Sequence, residues 1–334
     1  MRITPLLLPA LLAAPGFAQD VFICSNSDMI LTRGTDRNFD GDAMDFGEYG
    51  KVAYEPSLLQ NGREIKATSV FGAPGIVWLD QNTRDVTRLV DLNGNGTFEP
   101  TEIASVFDFP TKAGVASGDT FLIGLAEKTG GVFYVANNAF KTLPALPPAT
   151  NGLYRVTGMA TLPFTGAVTP AIRQSDVITA FENNSTAGAA VVNAGAWERL
   201  AIINSTQTIL AYNTLDDAIY ALRDLDADGK FTSPGEVVNF LNASGHKAGL
   251  GLSGDFFGGA LSGYGAMLAT ATPAPANGNW TVLNAIEVDQ SNNTVYVATT
   301  TTFATPNPAG RVFKCRDLNG NGTCNDPGEV TVFC

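Results

Sequence analysis

The sequence predicts an all-β fold, and three observations carry that prediction. No long segment places apolar residues at i, i+3, i+4 and i+7 between helix caps. Short β-branched and aromatic runs, bounded by turn residues, recur in sets along the chain. Between such runs one loop pattern appears four times, with Asp or Asn at alternate positions and a closing Gly.

Residues 1–18 read as a targeting segment. Arg2 gives a minimal positive start, residues 6–14 an apolar run and residues 16–18 a small-x-small cleavage site. The run is too short to span a bilayer. Residues 19–334 are then expected to form a single domain, secreted or periplasmic, with no membrane insertion. Composition fits this expectation. The formal net charge is −12 over 334 residues, which argues against binding nucleic acid through the bulk field.

Residues 20–54 hold too few strand-like runs for a complete unit, so closure of the fold is expected to use both chain ends. The runs at 67–71, 75–79 and 86–90 form the next set. Those at 121–127, 131–136 and 152–156 form another, and 200–203, 208–212 and 218–222 a third. The last set is 282–288, 294–298 and 311–315. A further strand follows the Asp/Asn loop in three of these sets, giving units of about four antiparallel strands. The unit ending near Ile172 has no Asp ladder, and its 157–163 turn is expected to close without metal. Repeated four-stranded units with few helices point to a β-propeller. Unit length predicts five blades, or six if residues 253–272 form strands of their own. A two-sheet sandwich or β-helix is the alternative.

The four loops are Asp36-Arg-Asn38-Phe-Asp40-Gly41, Asp91-Leu-Asn93-Gly-Asn95-Gly96, Asp224-Leu-Asp226-Ala-Asp228-Gly229 and Asp317-Leu-Asn319-Gly-Asn321-Gly322. Late carboxylates follow: Glu48, Glu102, Glu236 and Glu329. This is the spacing of a calcium loop. Alternate side chains send oxygens to one centre, Asp42, Thr97, Lys230 and Thr323 supply the backbone carbonyl, and the late Glu clamps with both oxygens. The alternative is Asx-rich turns without metal. An EF-hand would need a helix on each side, whereas strand-like runs flank these loops. Calcium-bridged β-hairpins are expected, with up to four structural Ca²⁺ ions. The Asp224 and Asp36 loops, richer in carboxylates, should bind tighter.

In these loops the chain resembles calcium-loop β-propellers, the broad group that includes the FG-GAP repeats of integrin α-chains and many exported bacterial propellers. It departs from the FG-GAP form: Phe71-Gly-Ala-Pro74 is a lone fragment of that consensus. The resemblance implies the fold and the metal. It supplies no activity.

Four cysteines in an exported chain are expected to pair. Of the three pairings, Cys315–Cys324 across the last loop with Cys24–Cys334 joining the ends is favoured. A second repeat, Lys112 to Asp119 and Lys247 to Asp255, follows two of the hairpins. With His246, the only histidine, it suggests a polar ligand site of Lys112, Asp119, His246, Lys247 and Asp255. The alternative is a tight turn capped by its own Ser and Asp. One histidine excludes a histidine-rich zinc or iron site, and no Ser sits in a G-x-S-x-G elbow. The reading favoured by sequence is a monomeric binding module for an unidentified protein or carbohydrate. The alternative is a hydrolase of sugars, lactones or esters that uses acids near the propeller channel.

Overall fold

The computed structural model describes residues 20–24, 30–35, 49–139, 148–182, 188–192, 194–214, 218–242, 281–301, 311–326 and 328–333. These residues form five antiparallel-built sheets. Sheet I holds β1 (Asp20–Cys24), β2 (Ile30–Thr35) and β3 (Tyr49–Tyr54). Sheet II holds β4 (Gly62–Thr68), β5 (Gly75–Asp80), β6 (Asp85–Val90) and β7 (Ile103–Asp108), and a short helix α1 (Phe109–Ala113) leads out of it. Sheet III holds β8 (Leu122–Lys128), β9 (Val132–Asn137), β10 (Gly152–Thr157) and β11 (Ala167–Arg173). A hairpin of β12 (Ile178–Glu182) and β13 (Gly188–Val192) precedes sheet IV, which holds β14 (Trp197–Ile203), β15 (Thr208–Asn213), β16 (Ala218–Leu222) and β17 (Val237–Asn242). Sheet V holds β18 (Thr281–Asp289), β19 (Thr294–Thr301), β20 (Arg311–Cys315) and β21 (Val330–Val332). Sheets II to V each contain an up-and-down four-stranded unit in sequence order.

The middle strands explain why the sheets pack face to face. Side chains alternate across a strand, and β5 is buried along its whole length. Its Ile76 and Trp78 join one apolar cluster with Leu31 and Val52 of sheet I. Val77 and Leu79 point the other way, into a cluster with Leu125, Phe133 and Val135 of sheet III. The same division recurs in β15. Ile209 and Ala211 pack towards sheet III, and Leu210 and Tyr212 towards sheet V. Each cluster therefore fills the space between two successive sheets. Strands buried on both faces read as nearly continuous apolar runs.

The first strands lie side by side: β4 packs on β8, β8 on β14 and β14 on β18. The fourth strands are furthest from that line. This is a propeller-like arrangement of four-stranded sheets. Residues 253–272, which bear on five blades against six, lie outside the described residues.

Three expectations need correction. The first strand of sheet II is β4 (Gly62–Thr68) and not 67–71, because the charged Arg63 and Glu64 lie at the inner rim and do not break the strand. The β12–β13 hairpin has no counterpart in the sequence reading. It extends sheet IV beyond β17, with β12 parallel to β17. The expected Cys315–Cys324 disulfide is not formed. Both are free thiols, fully buried in the apolar cluster between sheets IV and V. Burial pushes the Cys315 thiol up to about 12 and raises that of Cys324 further. Cys334 lies outside the described residues.

Candidate functional sites at the loops and the inner rim

Each described Asp/Asn loop joins the third strand of a sheet to the fourth, as β6–β7, β16–β17 and β20–β21. The loops close by the same rules. In the first, Asp91 Oδ2 accepts the Gly96 amide at 2.9 Å, and Oδ1 accepts those of Gly94 and Asn95 at 2.7 and 3.1 Å. Asn93 Oδ1 takes the Asn95 amide at 2.9 Å, and Asn95 Oδ1 takes Thr97 N–H at 2.8 Å. Asp317, Asn319, Asn321 and Thr323 repeat the set, with Gly322 N–H on Asp317 Oδ2 at 2.7 Å. Gly94 and Gly320 take the positive φ these turns need.

The late glutamates have a role that the sequence reading did not give them. Glu102 accepts Leu92 N–H at 2.7 Å with one oxygen and Glu99 N–H at 3.1 Å with the other. Glu236 accepts Leu225 and Ser233 N–H, both at 2.8 Å. Glu329 accepts Leu318 at 3.0 Å and Asp326 at 3.1 Å. All three are buried. They close the loop on itself, and Glu102 Oε1 takes a second amide, that of Asn93, at 3.2 Å.

The Asp224 loop carries Asp226 and Asp228 where the Asp91 and Asp317 loops carry Asn, and this bears on metal. Where those two loops have Gly94 and Gly320, it has Ala227, held at φ 63°. Asp224 Oδ2 still takes Gly229 N–H at 3.1 Å. Asp224 Oδ1, however, is buried with no hydrogen-bond partner among the described residues. Oxygens of Asp224, Asp226 and Glu236 lie within 4.8 Å of one another. Calcium–oxygen bonds of about 2.3–2.6 Å put ligands on opposite sides of an ion about that far apart. Three carboxylates gathered in one loop, with an Asp224 oxygen that accepts no hydrogen bond from the described residues, are donors suited to a hard cation, so these residues fit Ca²⁺. Asp226 is held below the usual carboxylate range by the Ser233 hydroxyl, 2.7 Å away. Asp228 Oδ1 accepts Lys230 N–H at 2.7 Å. The loop of Asp36, Asn38, Asp40, Asp42 and Glu48 lies outside the described residues.

The loops also fasten neighbouring sheets. The eighth loop residue donates its amide to the fourth strand of the sheet before it, or to the last strand of sheet I. Phe98 donates to Val52 O at 2.7 Å, Phe231 to Ala171 O at 3.1 Å and Cys324 to Phe240 O at 2.8 Å. All three side chains are buried.

Of the second sequence candidate, Lys112 lies on α1 with Nζ 5.5 Å from the centre of the Phe164 ring. Asp119 ends a 3₁₀ turn of Ser117–Asp119, and its backbone carbonyl accepts Asn137 Nδ2 at 3.0 Å. His246, Lys247 and Asp255 lie outside the described residues.

The structure assembles a site that sequence reasoning missed, on the inner rim. Glu64 of β4 and Arg199 of β14 form an ion pair, Oε2 to Nη1, at 3.2 Å. Arg199 Nη1 also reaches Ile123 O of β8 at 3.5 Å. Adjacent in sequence are Arg63 and Glu198, so an acid and a base come from each of two strands that flank β8. The Arg63 guanidinium lies 5.4 Å from the Phe121 ring centre and donates to Gln81. Glu198 is 6% exposed. Desolvation pushes the carboxyls of Glu64 and Glu198 each up to about 7, against the opposing pull of Arg199 on both and of Arg63 on Glu198. Glu287 of β18 adds a like charge that raises Glu64.

Two backbone features hold these side chains in place. Buried Asp80 accepts the amides of Gln60, Asn61, Asn82 and Thr83 at 2.6–2.9 Å and Trp78 Nε1 at 3.3 Å. It thereby fixes the start of β4. Gly124 of β8 lies so close to β14 that a Cβ there would sit 1.9 Å from Glu198 O. The available signal was charge in first strands that otherwise read as apolar.

No protein-family model matches the sequence, and no curated protein matches it. Among solved structures the chain is similar to the luciferin-regenerating enzyme, at 10% identity over 94% of this chain and 71% of that one, with a TM-score of 0.49. It is similar to regucalcin, a calcium-binding protein from Agrobacterium tumefaciens, at 11% identity over 86% of this chain and 66% of that one, TM-score 0.41. A chain of the nidogen/laminin complex gives 16% identity and a TM-score of 0.39. This chain covers 59% of that one, with 76% of its own length matched.

Proposed function

We propose that this chain is an exported, calcium-stabilised β-propeller whose inner rim performs general acid–base hydrolysis of a sugar, lactone or ester. The observation that carries the reading is the crossed set Arg63–Glu64 and Glu198–Arg199 on two first strands. Carboxyls near 7 are half protonated at neutral pH, so one can give a proton while another takes one. Glu64 is the more open of the two and takes the proton of an attacking water. Glu198, the more enclosed, gives its proton to the leaving oxygen. Arg199 orients Glu64 and places positive charge where an oxyanion would form. The Asp/Asn loops hold Ca²⁺ for structure, starting with Asp224, Asp226 and Glu236, and stand outside this chemistry.

A monomeric binding module is the second reading. It is favoured by the Glu64 carboxylate being already engaged by Arg199. A screen of chromogenic glycosides, lactones and esters separates the two. Turnover that Glu64→Gln and Glu198→Gln each lower by at least about a hundredfold, with the folded circular-dichroism spectrum preserved, supports the hydrolase. No turnover on any class, or turnover indifferent to both variants, returns the chain to the binding reading.

A further inference from the structure

Between sheets IV and V, away from the inner rim, lies a cavity of about 300 Å³. This is the lower end of the range for ligand pockets, about 300–1,000 Å³. Arg223 and Arg316 line it, one from each sheet. Each stands immediately before the first Asp of a loop, and each is fixed by its own backbone amide. Arg223 N–H donates to Glu236 O at 2.9 Å and Arg316 N–H to Glu329 O at 2.8 Å.

The side chains leave donors for a guest. Arg223 Nε is anchored on Thr208 Oγ1 at 2.9 Å, which aims the guanidinium, and its two Nη groups make no hydrogen bond among the described residues. No hydrogen bond or ion pair engages the Arg316 guanidinium among the described residues. Asn293 also lines the cavity, and its Oδ1 accepts the Ser205 hydroxyl at 3.0 Å, which leaves Nδ2 to donate. The one acid among the described lining residues, Asp317, accepts the amides of Gly320, Asn321 and Gly322 at 2.7, 3.2 and 2.7 Å. The cavity is thus lined by a guanidinium from each side, an arrangement that favours an anionic guest.

We propose that this cavity is a binding site for a tetrahedral oxyanion, a phosphate or sulfate group. A guanidinium takes oxyanions through paired N–H bonds. A carboxylate has oxygens for one such fork, whereas a tetrahedral ion has oxygens for both. The site is independent of the inner-rim chemistry and of whether the chain is an enzyme.

Calorimetric titration of the full chain at constant ionic strength tests this, with inorganic sulfate and glucose 6-phosphate as separate titrants and chloride as the reference. Saturable binding is expected, weakened about tenfold or more by Arg316→Gln and unchanged by Lys51→Gln, an exposed residue of sheet I. Arg316 is exposed, so its variant keeps the wild-type melting temperature, and Arg223→Gln gives a second measure where it folds. Tighter binding of the sugar ester assigns the site to an esterified anion, and equal binding assigns it to a free ion. Absence of saturation with both titrants, or wild-type affinity in Arg316→Gln, overturns the proposal.

Discussion

At the scale of single residues, burial decides which carboxylates matter. Asp80 is fully buried and satisfies five donors. Replacing it by Ala orphans four amides and an indole N–H, each a desolvated donor. Asp80→Ala should lower unfolding free energy by about 3 kcal/mol or more, measurable by urea denaturation. Glu64 and Glu198 work in the other sense. Their folded values near 7 stand above the usual 4.5. Between those two values the folded chain keeps protons that the unfolded chain has lost, so both groups make stability fall as pH rises through that window. Above about 7 the penalty is complete and constant. Glu64→Gln and Glu198→Gln should each flatten the decline in melting temperature between pH 4.5 and 7. A slope identical to that of the unaltered protein would show that neither carboxyl is desolvated as described.

At the scale of elements, the site depends on how closely first strands approach. Gly124 lets β8 meet the backbone of β14 at Glu198. A methyl group cannot fit 1.9 Å from a carbonyl oxygen, and that neighbour is backbone, which cannot rotate aside. Gly124→Ala should cost about 1–3 kcal/mol through overpacking. It should also displace the Glu198–Arg199 pair, lowering any rim activity more than the stability loss alone would. Circular-dichroism melts beside turnover measurements check both parts. The loops are elements of another kind, since the late Glu, the first Asp and the alternate Asx side chains hold each one by hydrogen bonds within itself. In the Asp224 loop Ala227 holds the positive φ that Gly94 and Gly320 take in the other two described loops, and Asp224 Oδ1 accepts no hydrogen bond from the described residues.

At the scale of the whole molecule, the loops act between sheets as well as within them. Phe98, Phe231 and Cys324 each carry an amide to the sheet before, so a loop that loosens also releases a neighbour. A ligand that binds only the folded state stabilises it by mass action. Chelation of calcium should therefore lower the melting temperature by several degrees. It should also raise the reactivity of the Cys324 thiol, which is fully buried beside the last loop. A melt and a thiol-labelling rate that both ignore the chelator would count against calcium at these loops.

The sequence alone determined the strand class, the repeat of about four strands and the place of the loops between third and fourth strands. These are local properties: β-branched runs, turn residues and Asx spacing act over a few residues. It did not determine the β4 boundary, the β12–β13 hairpin, the unbridged Cys315 and Cys324, or the Glu64–Arg199 pair. Glu64 and Arg199 lie far apart in the chain, and nothing in the spacing of either marks it as a partner. Only the packing of first strands β4, β8 and β14 brings the two together, and only the burial that results moves the Glu64 carboxyl towards neutral pH.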